Sequence, residues 1–304
     1  MAKAIKQAKT PVSQYGFTQL TYWRRILLMV CIFVLMMSFA GFGAQGAAWF
    51  FKSGTREYYL LTSVFQNLIG FAGTAFVTSL FLSTRPMSML GLNRVARWRN
   101  VLGIILVFAV GIPFINQVIW WNTQLHFPPS LEALENTLRA WEENALGATT
   151  VMMSGTSLGA LAANVLVMGI LTGFCEEIVF RGTFQRVIGS GSLGPHAAVW
   201  ITAVIFSTLH FQIFGFVPRV LLGAFFGYLF LWTGSIWVAS IAHAINNSIT
   251  IIAQWLIANG MIAPDFDSVG VTQHGFPAIA CISLALTMCV LLGMRSYLFS
   301  TKRI

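Results

Sequence analysis

Of the 304 residues, 57% are hydrophobic and only 9% are charged, and 26 are Phe and 10 are Trp. Soluble domains carry roughly 25% charged residues, so this composition and a mean hydropathy of +0.75 exclude a soluble domain and indicate an integral membrane protein. The formal net charge of +9 does not describe a nucleic-acid binder, because Lys and Arg gather at the ends of apolar runs instead of forming one basic face.

Residues 1–25 form a basic tail with Lys3, Lys6, Lys9, Arg24 and Arg25. The apolar run that follows, 26–51, is too long for a cleavable signal peptide and is read as a first span. A second span is expected over 58–82 and a third over 101–121, with Arg85, Arg94, Arg97 and Arg99 in the loop between them. These three spans make up residues 26–121. Residues 122–156 are an insertion in which Leu131, Leu134, Leu138 and Trp141 recur at helical spacing. The pattern predicts a short amphipathic helix lying on the membrane surface, with Ser130 as its N-cap. Its acidic side, within 130–146, could instead meet a membrane partner.

Residues 157–258 carry four more spans, 157–188, 196–213, 218–232 and 236–258, the first closed by the Gly-rich break 189–195. Residues 259–304 hold a loop with Asp265, Asp267 and His274, an eighth span over 277–294, and a basic end with Arg295, Lys302 and Arg303. With both termini cytoplasmic, 14 of the 18 Lys and Arg lie inside. The expected fold is an all-α polytopic protein of the cell membrane, with eight transmembrane helices and both ends in the cytoplasm. The four cysteines, Cys31, Cys175, Cys281 and Cys289, all sit in apolar stretches and read as small hydrophobes.

Glu176 and Glu177 are the two acids inside a span, and a charge there costs at least ~2.5–3.5 kcal/mol on insertion scales. Glu177 and Arg181 are i and i+4 and can pair on one face, which leaves Glu176, turned by about 100°, outside that pair. Gly169, Thr172 and Gly173 share the face of Glu176 and allow another helix close in. Glu176 lies 13 residues before the 189–195 turn and His210 lies 15 after it, so an antiparallel pair brings both to one depth, roughly 20 Å from the turn. His243 and Asn247, one helical turn apart, are the remaining candidates. A structural ion network is the bland alternative. Chemically, a buried carboxylate beside a His can deprotonate a water, and donors such as His243 and Asn247 can stabilise an oxyanion. That describes amide hydrolysis without a covalent intermediate. Two His and a Glu are also the ligand types of a catalytic Zn²⁺ site, although the HExxH spacing is missing.

The segment Glu176-Glu177-Ile-Val-Phe-Arg181 resembles the EExxxR motif of the CPBP family, the CAAX prenyl proteases and their Abi or Rce1-like relatives. Phe206-Ser-Thr-Leu-His210 resembles its FxxxH motif and His243-Ala-Ile-Asn-Asn247 its HxxxN motif, all in order within 155–258. The resemblance implies an eight-helix, glutamate-dependent intramembrane endopeptidase, in a family once classed as metalloproteases. It makes Glu176 the base and His210 its helper in activating water. His243 and Asn247 become the oxyanion site, and Glu177, Arg181 and Phe206 supporting residues. No cofactor is implied. The expected partners are the lipid bilayer and a membrane-bound protein or peptide substrate. The compact chain looks like the bacterial branch, which implies an unprenylated substrate.

Other signals lead elsewhere. Gly155-Thr-Ser-Leu-Gly159 matches the GxSxG serine elbow, but that elbow needs a strand-to-helix turn, so Ser157 is read as a cap or packing residue. Asn67 and Asn164 are expected to bridge helices. A proton-coupled carrier using the same Glu and His residues would be supported by inverted repeats, and the acids occur once. A catalytically idle immunity or scaffold protein is the third reading.

Overall fold

The computed structural model describes residues 19–265 and 268–300; Lys3, Lys6, Lys9, Asp267, Lys302 and Arg303 lie outside them. Every regular element among the described residues is helical. Helices α1 (Tyr22–Ala47), α2 (Arg56–Leu82) and α3 (Trp98–Thr123) precede α4 (Glu132–Met153), which belongs to the insertion. Then come α5 (Leu158–Gly189), α6 (Gly194–Thr208), α7 (Phe216–Thr233), α8 (Ile236–Ala258) and α9 (Ala278–Ser300). Seven are long and apolar enough to cross a membrane: α1, α2, α3, α5, α7 with its preceding turn, α8 and α9. The protein is a multi-pass membrane protein.

The fifth expected span is the exception. Helix α6 has 15 residues, about 22 Å at ~1.5 Å each, against a bilayer core of ~30 Å. It stops short because the chain turns away after Thr208. Phe211 takes a left-handed backbone conformation (φ 55°), and Ser207 Oγ donates to the Phe216 carbonyl, tying the end of α6 to the start of α7. His210 therefore sits on a turn instead of inside a helix.

Helix α5 is the central element, packed between α2 and α8, while α6 and α7 form a hairpin and α3 pairs with α9. Its Cys175, Ile178, Val179, Phe180 and Phe184 are buried against Phe71 and Ala75 of α2, Phe226 of α7 and Ala239 and Ala242 of α8. The contact with α8 is close because Gly173 faces the Ala244 backbone: a Cβ on Gly173 would lie 2.9 Å from Ala244 N. Asn67 donates to Thr172 Oγ1 at 3.0 Å, and Asn164 accepts from Arg56 at 2.7 Å, so both asparagines bridge helices as expected. Gly234, in the left-handed region (φ 68°), ends α7 and lets α8 begin two residues later.

Helix α4 differs from expectation in its cap. A 3-10 turn, Pro129–Leu131, precedes it and Leu131 occupies the cap position, so Ser130 does not cap it. Two of its acids, Glu135 and Glu142, face inward. Glu135, Leu138, Glu142, Ala145 and Thr149, at alternating spacings of three and four, form the buried or half-buried face. Leu131, Leu134 and Trp141 are exposed. The inward acids satisfy loop amides that would otherwise be left without a partner. Glu135 accepts the Phe127 N–H at 2.7 Å and pairs with Arg139 at 2.7 Å, and together they pull its carboxyl down to about 2. Glu142 accepts the Phe214 N–H at 3.0 Å. At the far end, Arg56 donates to the Met152 carbonyl at 3.1 Å.

Candidate active site

Glu176 and Glu177 occupy the one α-helical stretch of α5, Thr172–Val179, that lies between two widened π-helical segments, Val165–Leu171 and Phe180–Gln185. Such widened turns free backbone carbonyls and recur at functional sites. Here the Met168 carbonyl accepts from Asn247 Nδ2 at 3.0 Å, so α8 docks onto the first widened segment.

Glu177 and Arg181 pair at 2.8 Å, both fully buried. Arg181 also donates to the Gly223 carbonyl of α7 at 2.8 Å, and its guanidinium lies over the rings of Phe206 (4.9 Å) and Phe226 (5.6 Å). Glu177 Oε1 carries a second bond that sequence spacing did not show: His243 Nδ1 lies 2.8 Å away. A carboxylate oxygen only accepts, so Nδ1 bears the proton, and Nε2 is turned toward Glu176, with Oε2 at 3.7 Å. The Phe226 ring stacks on the His243 imidazole at 4.8 Å and fixes its plane.

His210 is held in the same manner. Its Nδ1 donates to the Phe206 carbonyl at 2.7 Å, and the Phe206 ring meets it edge to face at 4.8 Å. That leaves Nε2 unprotonated in the neutral ring. Glu176, Phe180 and His210 line one cavity of about 250 Å³. The two residues at matched distances from the 189–195 turn thus share one space. His243 backs that space through Glu176, whereas Asn247 is committed to Met168 and is not among the cavity's lining residues.

Three further polar residues line the cavity: Gln66 of α2, Thr149 of α4 and Gln212 of the turn after α6. The available signal for Gln66 was an amide in the middle of an apolar span; Thr149 and Gln212 had none. Elsewhere, a shallower hollow of about 360 Å³ between α3 and α9 has Arg99 as its one charged residue, and Arg99 is bonded to Tyr297. Ser157 accepts from the Ala160 N–H as the N-cap of α5. His126 pairs with Glu135 and His196 with Tyr228, away from the cavity. Among the described residues, no three His, Cys, Asp or Glu side chains gather as a metal ion requires.

Residues 158–249, the segment holding all of these motif residues, match the family described as type II CAAX prenyl endopeptidase Rce1-like. Over that segment the chain is similar to the Rce1-like family of CAAX prenyl endopeptidases. Among curated proteins it is similar to "Uncharacterized protein YpbD" of Bacillus subtilis (strain 168), with 28% identity over 90 residues, 28% of this chain and 43% of that relative. The chain thus spans less than half the length of the curated relative it matches. No solved structure matches it.

Proposed function

We propose that the protein is a glutamate-dependent intramembrane endopeptidase that hydrolyses a peptide bond of a membrane-associated or lipidated protein or peptide. The observation that carries this reading is the shared cavity of Glu176 and His210, with His243 held behind Glu176 by the Glu177–Arg181 pair.

Arg181 and ionised Glu177 cancel each other's charge. In a buried cluster, Glu176 and His243 are then favoured either both charged or both neutral, so a proton shared between them moves at no net change in charge. In the charged form, Glu176 takes a proton from a cavity water while His210 Nε2 accepts that water's other hydrogen. The hydroxide attacks the amide carbon. The carbonyl oxygen, now negative, receives a hydrogen bond from His243 Nε2–H, and Asn247 holds α8 against α5 through its bond to Met168. Glu176 then gives its proton to the leaving amine, and the C–N bond breaks. Glu177, Arg181 and Phe206 are positioning residues.

The carrier reading would need a polar route past Glu177 and Arg181. The rings of Phe180, Phe206 and Phe226 close around Arg181 instead. The proposed topology is eight helices crossing or entering the bilayer, with both termini cytoplasmic and α6 as the short member. What supports it is the Lys/Arg distribution.

The test uses purified protein in lipid vesicles with a library of quenched peptides, prenylated and unprenylated, with and without a chelator. The expected result is cleavage of a subset of unprenylated peptides at rates the chelator leaves unchanged. Cleavage of none, or cleavage that the chelator stops, would overturn the reading.

A further inference from the structure

The cavity's lining beyond Glu176 and His210 is selective in kind. Gln66 opens the widened Gln66–Gly73 segment of α2, ten residues in from Arg56, and so sits roughly 15 Å along the span. Its neighbour Asn67 is buried and bonded to Ser63 and Thr172, but the Gln66 amide makes no hydrogen bond among the described residues. Gln66 is exposed and lines the cavity, so its amide is open to a ligand that supplies a partner. Across the cavity, Gln212 has its carbonyl oxygen fixed by Arg219 Nη2 at 2.8 Å, and among the described residues its NH₂ is uncommitted. Thr149 Oγ1 donates to the Ala145 carbonyl at 2.9 Å and keeps its lone pairs for a donor.

Ala145 and Thr149 are one turn apart on the inward face of α4, which passes over the cavity and is fastened on both sides of it. At one end the Phe214 N–H bonds Glu142, Arg139 lies 4.0 Å over the Phe214 ring and Trp141 meets Phe211 edge to face. At the other end Arg56 holds Met152. The short α6 ends below this roof. The cavity's 250 Å³, open on one side, leaves room for a short piece of extended chain with small side chains.

An extended peptide entering this space must find partners for alternating N–H and C=O groups, and a glutamine amide offers both kinds. We propose that Gln66, Thr149 and Gln212 form a cradle for the substrate's peptide backbone beside Glu176, and that Ala145 on the roof sets how large a side chain fits next to the scissile bond. The ligand is an extended peptide segment with a small residue facing α4. This rests on the protease reading above, which identifies the bond that lies between the cradle and Glu176.

The test reads binding apart from cleavage. In E176Q protein in lipid nanodiscs, affinity is measured for fluorescein-labelled peptides identical except for Gly, Ala, Leu or Trp at one position. Adding Q66L weakens all four about tenfold, the loss of one hydrogen bond to the peptide. Adding Ala145→Phe weakens the Leu and Trp peptides at least tenfold more than the Gly peptide, and Ala145→Val, a smaller change, shifts the same ratio in the same direction. Unchanged affinity in Q66L, an equal loss for all four peptides in both Ala145 variants, or no binding of any peptide overturns the cradle. Cleavage by the wild type is scored separately, so the cradle and the protease reading can fail independently.

Discussion

Arg181 is the residue on which the buried cluster depends most. It has no solvent contact, and its charge is met by one carboxylate, one carbonyl and surrounding aromatic faces. Arg181→Met would leave Glu177 buried without its counter-charge, and removal of one partner of such a pair costs about 3–5 kcal/mol. Thermal unfolding in detergent should show that loss. Arg181→Lys should recover only part of it, because one ammonium cannot reproduce the fork that reaches Glu177 and the Gly223 carbonyl together. The Glu177–Arg181 pair was legible in the sequence because i and i+4 positions face one another on any helix. The His243–Glu177 bond was not, since the two residues are 66 positions apart and are joined only by the crossing of α5 and α8. Nor did spacing show that His243 Nε2 lacks a proton in the neutral ring, which follows from its Nδ1 partner.

At the scale of elements, the close crossing of α5 and α8 was anticipated from the small residues beside Glu176. Gly173 realises it against Ala244, and Gly169 lies close to Ser248 on the same face. A Cβ on Gly173 would meet backbone, which cannot swing aside, so Gly173→Ala should destabilise by about 1–3 kcal/mol and move His243 away from Glu176. A melting shift together with lost cleavage would show this, whereas wild-type melting would count against the packing account. The widened turns in α2 and α5 left no trace in the apolar pattern, because an inserted residue changes backbone geometry without changing hydropathy. Helix α4 was recognised as amphipathic, and Leu131, Leu134 and Trp141 are exposed, but the loop amides that its inward acids answer left no signal in the spacing. Glu135 carries a prediction here. Its folded-state value of about 2 lies below the ordinary 4.5, so its contribution is complete above pH 4.5 and is lost as pH falls toward 2. Protease nicking near His126 and Phe127 should therefore rise between pH 4.5 and pH 3 in the wild type, using an acid-active protease. In Glu135→Gln it should be high already at pH 6.

For the whole molecule, composition alone established a multi-pass membrane protein, and the apolar runs located seven spanning helices to within a few residues. The short α6 was overestimated because the apolar run continues through Phe211 and Phe214 while the chain has already turned. The proposed orientation has a direct check. Single cysteines introduced at Lys9 and Lys302, in a variant lacking the four native ones, should react with an impermeant maleimide only after the cells are opened, and one at Lys52 should react in intact cells. The proposed chemistry rests on one carboxylate, Glu176. Its most direct test is the rate at which Glu176→Gln, matched to wild type in melting temperature, cleaves the best peptide from the vesicle screen. Loss of a positioned base predicts a fall of about 10²–10⁴-fold. A stable Glu176→Gln protein that cleaves at the wild-type rate would contradict it.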